Sequence, residues 1–249
     1  MSNELKWPLP VVILAGGYGT RIRHLLPDLP KPMAPVNGRP FLEWVIRFFA
    51  AQGCTEFVLS TGYLADRVAS HFAQKPIPGL TITCVPEVSA QGTAGGFLQA
   101  IQALPPRPAW LVVNGDSLVL ADPRPLVDLL HRHSASAAML GLRMADASRF
   151  GTLKIGAVGQ LTAFHEKQPG AGLINAGVYA FDSTTLGRFP ATRPLSLECD
   201  VFPVWASAGQ VYVSQASAPF LDIGTPETLQ QAEDFITQNL HQFGCASPA

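Results

Sequence analysis

Charge is scarce in this chain of 249 residues: 17 lysines and arginines stand against 18 aspartates and glutamates, 14% of the residues, for a formal net charge of -1 at pH 7. Without an excess of either sign there is no long-range field to gather nucleic acid or an anionic membrane, so an anionic ligand must be gripped by a few local cations. Cysteine is equally sparse. Cys54, Cys84, Cys199 and Cys245 lie far apart with no C-x-x-C spacing, which argues against a zinc site and a disulfide framework and points to the reduced thiols of a cytoplasmic protein. Long apolar runs are missing too, none nearing the ~20 residues that span a bilayer. The opening MSNELKWPLP carries an acidic residue and two prolines before a short strand, which fits neither a signal peptide nor a membrane span. His24, His71, His131 and His133 fall at no metal-ligand or nucleophile spacing.

What is present is apolar. Hydrophobic side chains make up 47% of the chain, enough for one large core. Runs rich in β-branched and apolar residues recur at 11–14, 57–61, 80–85, 110–113 and 137–142, with helix-length amphipathic stretches between the first four. That alternation predicts an α/β fold with a mixed, mainly parallel central sheet between two helical layers. The stretch 41–52 places Phe41, Leu42, Val45, Phe48 and Phe49 at helical spacing, and Gly53 supplies the stop. After residue 150 a hairpin is expected around 156–160, then a strand in LINAGVYAFD, so antiparallel elements join the parallel base. Thr225 before Pro226 predicts a capped helix running to about residue 238. No composition break marks a linker and no hexapeptide repeat announces a β-helix, so one domain over 1–249 is expected, with its core at about 9–240.

The stretch VVILAGGYGTRIRHLLPDLPKPMAPV, residues 11–36, ends a strand in Gly16, Gly17 and Gly19. It is not a dinucleotide fingerprint, because Ile22 stands where the third glycine belongs, and no G-K-[ST] follows to make a P-loop. Pro27, Pro30, Pro32 and Pro35 each remove a backbone donor and fix φ, which predicts an extended, rigid arm rather than a helix. Arg21 and Lys31 are thereby brought near the glycine turn, whose N-H groups would face a ligand at close approach. A polyphosphate cradle and a plain structural turn both remain open on these residues alone.

LAGGYGTRIRHLLPDLPKPMAPV resembles the signature loop of the nucleotide-sugar pyrophosphorylases, L-A-G-G-x-G-T-R-L followed by P-K-P-M, departing from it at Ile22. The resemblance extends over essentially the whole chain. It implies a Rossmann-like, GT-A-like nucleotidyltransferase fold, with a nucleotide-binding half at about 9–120 and a sugar-binding half at about 121–240. It implies that Leu14, Ala15, Gly16, Gly17, Gly19, Thr20 and Arg21 wrap a nucleoside triphosphate, that Lys31 helps neutralise its phosphates, and that Asn114 lies beside it.

Further motifs each have a plain reading beside the one the family suggests. Gly92 and Thr93 in QGTAGG open a helix, where small residues often serve close packing; the resemblance makes them base-site candidates, with Glu87 on the approach. Asp116 follows a buried strand in VVNGDS, the end at which open α/β sheets bind ligands. Asp222 in FLDIGTPE precedes the final helix, and with Thr225 supplying the cap it is expected to be free. The resemblance makes Asp116 and Asp222 a metal pair, and a hard cation such as Mg²⁺ needs only one or two carboxylates beside water and phosphate oxygens. By the same resemblance Lys167 holds the phosphate of an incoming sugar 1-phosphate, while Glu166, Asn175, Gly177 and Glu198 contact its hydroxyls. A lysine at a strand end or a glutamate in a first helical turn is otherwise ordinary surface. The reaction implied is nucleotidyl transfer from a nucleoside triphosphate to a sugar 1-phosphate, with Arg21, Lys31 and Asp116 as catalytic residues. PKPMAPVNGRPFLEW, LINAGVY and SLECDVFP look most like the D-glycero-D-manno-heptose 1-phosphate guanylyltransferases, so GTP and a heptose 1-phosphate are the expected substrates. Mannose 1-phosphate guanylyltransferases, N-acetylmuramate 1-phosphate uridylyltransferases, glucose 1-phosphate enzymes and a non-catalytic nucleotide-sensing relative are the alternatives. No residue pattern singles out an oligomer interface.

Overall fold

The computed structural model describes residues 7–165 and 167–244; most of the opening segment, Glu166 and Cys245 lie outside them. Along the chain come β1 Val11–Ala15, β2 Pro35–Val36, β3 Arg39–Pro40, α1 Phe41–Ala51, β4 Glu56–Thr61, α2 Ala65–Gln74, β5 Thr81–Pro86, α3 Gly92–Ile101 and β6 Ala109–Asn114. They are followed by β7 Ser117–Val119, α4 Arg124–His133, β8 Ala137–Met144, β9 Thr152–Ile155, β10 Leu161–His165 and β11 Gly172–Asp182. The last elements are α5 Phe202–Ser207, β12 Val211–Ala216, β13 Phe220–Asp222, α6 Pro226–Gln230 and α7 Ala232–Gln238.

The central sheet runs β12-β8-β11-β6-β1-β4-β5, and only β11 of these seven opposes the rest. The β9–β10 hairpin attaches where Thr152 pairs Ile174. Alternation along β1 sorts the core into two halves: Val11 and Ile13 face one apolar cluster with Phe41, Val45 and Phe48 of α1, while Val12 faces another with Phe97 of α3 and Phe202 of α5. Burial on both faces is what turned these strands into continuous apolar runs in the sequence. The mixed, mainly parallel three-layer architecture is the one expected. Among the described residues no helix is long and apolar enough to cross a membrane.

Helix α1 ends as anticipated, with Gly53 at φ 98°. Two expectations need correction. The proline-rich segment is not extended throughout; it contains two 3₁₀ turns, Arg23–Leu25 and Lys31–Met33. A proline is tolerated in a first helical turn, where its missing donor has no partner to lose, and Pro32 occupies that place in the second. The final helix is two helices, α6 and α7, meeting at Gln231. Its start is as read, with Thr225 accepting from the Thr228 N-H and Thr228 returning the bond to the Thr225 N-H.

The connection order places the site. From β1 the chain moves to β4 and then β5 on one side, and β6 is laid on the opposite side of β1. A crevice opens at the carboxyl ends of neighbouring strands where the winding direction reverses, which here is above Ala15 and Asn114.

Candidate active site

Above that reversal lies a cavity of about 320 Å³. One wall is the loop after β1, contributing Leu14, Ala15, Gly17, Gly19, Thr20 and Arg21, and the floor carries Lys31, Asn114 and Asp116. The facing wall has Arg149, Phe150, Asn175, Gly177 and Asp222. Twelve of the residues expected from the sequence thus converge on one space.

The turn is shaped for close approach. Gly19 sits at φ 56°, a conformation that L side chains rarely adopt, and a Cβ there would lie 2.7 Å from the Lys31 Cβ. Lys31 therefore packs on the loop and is steered inward, its ammonium 2.8 Å from Asp116 Oδ2 and 3.9 Å from Asp222 Oδ1. Gly16 is pressed from two sides. A Cβ on it would meet Glu87 Oε1 at 2.6 Å, and a Cβ on Gly62, just past β4, would meet the Gly16 carbonyl oxygen at 2.6 Å.

Asp222 is not free, as the capping argument had it. Its Oδ2 is paired with Nη2 of Arg149, a residue in the β8–β9 link that no motif marks. The two carboxylates are nevertheless suited to a metal. One ammonium already lies within 4 Å of both, so a single cation between them is the arrangement these side chains adopt. No group of three or more His, Cys, Asp or Glu residues capable of holding a metal occurs among the described residues. A cation here would complete its shell with ligand oxygens and water, as Mg²⁺ commonly does at phosphates.

On the facing wall β11 loses register against β8 between Asn175 and Tyr179. The bulge puts Gly177 at φ 73°, where a Cβ would strike the Asn114 side chain at 2.7 Å. The Asn175 amide donates to the Tyr179 hydroxyl at 2.7 Å, and its Oδ1 accepts from the Gly177 N-H at 3.0 Å. Burial holds the Tyr179 phenol well above its ordinary pKa, the negative charge of Glu198 adds to the shift, and the bond from Asn175 opposes it; Asp116 contributes a smaller rise. Tyr179 is a fixed, neutral strut behind Asn175.

Six of the expected site residues that are described do not line the cavity, Gly16 being one of them. Glu87 lies behind the loop, its carboxylate accepting from Ser60 Oγ and from the Gln91 N-H, each at 3.0 Å. Gly92 abuts the backbone of Leu195. Thr93 donates to Glu198 Oε2 at 2.7 Å and accepts from the Leu197 N-H at 2.8 Å, so Thr93 and Glu198 clasp α3 to the turn at Leu197–Val201. Lys167 is exposed, at φ 25°. Glu166 lies outside the described residues. Arg149, Phe150 and Phe220, which sequence reasoning missed, line the cavity instead; an arginine beside an aromatic in SRFGT offered no spacing to read.

A family profile described as Nucleotidyl transferase matches residues 10–239. A mannose-1-phosphate guanylyltransferase of Mycobacterium tuberculosis is 34% identical over 220 residues, covering 87% of this chain and 61% of that protein. A D-glycero-alpha-D-manno-heptose 1-phosphate guanylyltransferase of Aneurinibacillus thermoaerophilus is 31% identical over 229 residues, 90% of this chain and 97% of that protein. Among solved structures, HddC from Yersinia pseudotuberculosis complexed with GMP-PN aligns with a TM-score of 0.80 at 27% identity, over 91% of this chain and 99% of that one. The chain thus spans less than two thirds of the mannose enzyme and nearly all of the other two.

Proposed function

This chain belongs to the nucleotidyl transferase family, and from that premise we propose that it transfers a nucleotidyl group from a nucleoside triphosphate to a sugar 1-phosphate, releasing pyrophosphate. The observation that carries the reading is the gathering of Arg21, Lys31, Asp116 and Asp222 in one cavity at the sheet's winding reversal. An oxygen of the sugar phosphate attacks the α-phosphorus of the triphosphate as the bond to pyrophosphate breaks. The nucleophile is already an anion, so the residues need not take a proton from it; they must hold two anions together.

The roles follow from position. The N-H groups of the loop at 16–20 and the Arg21 guanidinium bind the triphosphate, Lys31 brings positive charge to the floor, and Asn175 and Gly177 orient the acceptor. Holding reactants in attack geometry supplies ~7–11 kcal/mol of effective molarity in favourable cases, and prearranged cations act on charge where it develops. Asp116 and Asp222 would hold a divalent cation, proposed as Mg²⁺, which supplies charge neutralisation of phosphate oxygens. The nucleotide half is proposed at about 9–120 and the acceptor half at about 121–240 of one catalytic domain, working in the cytoplasm.

One observation supports GTP and a heptose 1-phosphate as substrates: the chain matches the heptose 1-phosphate guanylyltransferase over 97% of that protein's length. Mannose 1-phosphate is the second reading, favoured by the 34% identity to the mycobacterial enzyme. A pyrophosphate-release screen of the purified protein, crossing the common nucleoside triphosphates with heptose, mannose, glucose and N-acetylmuramate 1-phosphates in Mg²⁺, tests this. Turnover is expected with GTP and the heptose ester; silence across the whole panel overturns the enzymatic reading in favour of a nucleotide sensor.

A further inference from the structure

Among the described residues three cations line the cavity: Arg21, Lys31 and Arg149. The first two stand on the loop and arm assigned above to the triphosphate. Arg149 is on the opposite wall, beside Asn175 and Gly177, and the lysine expected there, Lys167, is outside the cavity. Arg149 is also incompletely used. Its Nη2 pairs with Asp222 while its Nε, on the same edge of the guanidinium, is buried with no partner. An arginine edge carries two parallel donors and is matched by two oxygens of one carboxylate or phosphate; here one oxygen occupies one donor.

The surroundings leave the group room to shift. Its Cζ lies 5.5 Å from the Phe150 ring centroid, an aromatic face that a guanidinium can stack on in more than one azimuth. At Gly224 a Cβ would overlap Asp222 Oδ1 and lie 3.3 Å from Arg149 Nη2, so the absent side chain is what admits the pair. Asp222 meanwhile faces Lys31 with one oxygen and Arg149 with the other. It cannot serve a divalent cation fully while both hold it.

We propose that Arg149 binds the phosphate of the acceptor, and that its pairing with Asp222 is a resting contact exchanged when a divalent cation occupies Asp222 and an acceptor phosphate enters. The inference rests on the nucleotidyl-transfer reading for the identity of the acceptor. One edge of one guanidinium thus passes from the carboxylate to two phosphate oxygens, and the charge released from Asp222 is taken over by the cation.

The test uses Arg149→Met and Arg149→Lys in the full chain, each first shown to keep the thermal transition of the parent. Mn²⁺ binding to the nucleotide-free protein, followed by electron paramagnetic resonance, is expected to tighten at least threefold in Arg149→Met, because Asp222 loses a competitor. Inorganic phosphate binding in the presence of Mn²⁺, followed by calorimetry, is expected to weaken at least tenfold in Arg149→Met and less in Arg149→Lys. In steady state the KM for the sugar phosphate should rise at least tenfold while the KM for the triphosphate stays within twofold. Unchanged Mn²⁺ and phosphate binding, or an equal rise in both KM values, overturns the proposal. Parent protein that turns over no sugar phosphate defeats the functional reading instead, and the two binding measurements still decide for or against the exchange at Arg149.

Discussion

Gly62→Ala probes the loop from behind, at a residue that touches no proposed substrate. The new Cβ would lie 2.6 Å from the Gly16 carbonyl oxygen, 3.1 Å from the Gly16 Cα and 3.2 Å from its carbonyl carbon, all backbone. Ordinary contact begins at 3.4 Å, so the two segments must separate by about 0.8 Å (3.4 less 2.6). Strand β4 cannot give way readily, since Thr61 is in register with Ala15 on one side and Pro86 on the other. The loop therefore retreats into the cavity. Overpacking of this kind costs about 1–3 kcal/mol of stability, whereas misplacing a binding element by ~1 Å can cost ~10²-fold in rate, or ~2.7 kcal/mol of transition-state free energy. Steady-state pyrophosphate release should show kcat/KM for the triphosphate falling ~10²-fold with the fold intact by circular dichroism. Gly187→Ala, where a Cβ meets nothing within 4 Å, is the control expected to leave both stability and rate unchanged. A Gly62→Ala enzyme with normal kcat/KM would refute the claim that the backbone of Gly16 is held by contact with Gly62.

Arg21→Ala should lower turnover on the order of 10²-fold or more, as removal of one prearranged donor does, with an unchanged thermal transition; near-normal turnover in a steady-state assay would contradict its role. Glu43 is a second, structural case: burial alone would raise its pKa, but hydrogen bonds from Arg47 and Arg39 outweigh it and hold it below the ordinary 4.5. A depressed carboxylate releases its proton more readily folded than unfolded, so its contribution is complete above 4.5 and is lost as pH falls through the folded value. Glu43→Gln should be less stable than the parent at pH 7, and the gap in urea-unfolding free energy should close below pH 4; a gap constant from pH 7 to pH 3 would sink this reasoning. Thr225→Ala removes the hydroxyl that accepts from the Thr228 N-H, while the Thr225 N-H can still donate to the Thr228 hydroxyl; it should cost about 1 kcal/mol by the same unfolding measurement, with α6 fraying first in amide exchange. Burial pushes the Cys54 thiol up to about 12, so an alkylating agent at pH 8 should modify Cys54 only under denaturing conditions, as mass mapping of the peptides would reveal.

The parallel strands were legible because burial on both faces leaves an unbroken apolar run, as at Val11–Ala15 and Ala109–Asn114. The glycine turn and Lys31 were legible for another reason: their spacing is local, so the residues that act together are neighbours in the chain. Pairings between distant segments left no such trace. Arg149 meets Asp222 across 73 positions and Thr93 meets Glu198 across 105, and neither distance has a periodicity to betray it. The 3₁₀ turns of the arm escaped for a subtler reason. Proline excludes a helix interior but not a helix start, and counting prolines alone does not distinguish the two.

The break in register at Asn175–Tyr179 has a practical meaning for anyone wishing to retune what the enzyme accepts. That side of the pocket is woven into a sheet whose neighbours are locked on both flanks, so altering it disturbs the whole weave. Arg149 and Phe150 hang instead from a short connecting segment outside the strands. Libraries that diversify this segment around a fixed Arg149 and spare the weave are the economical route to new acceptors.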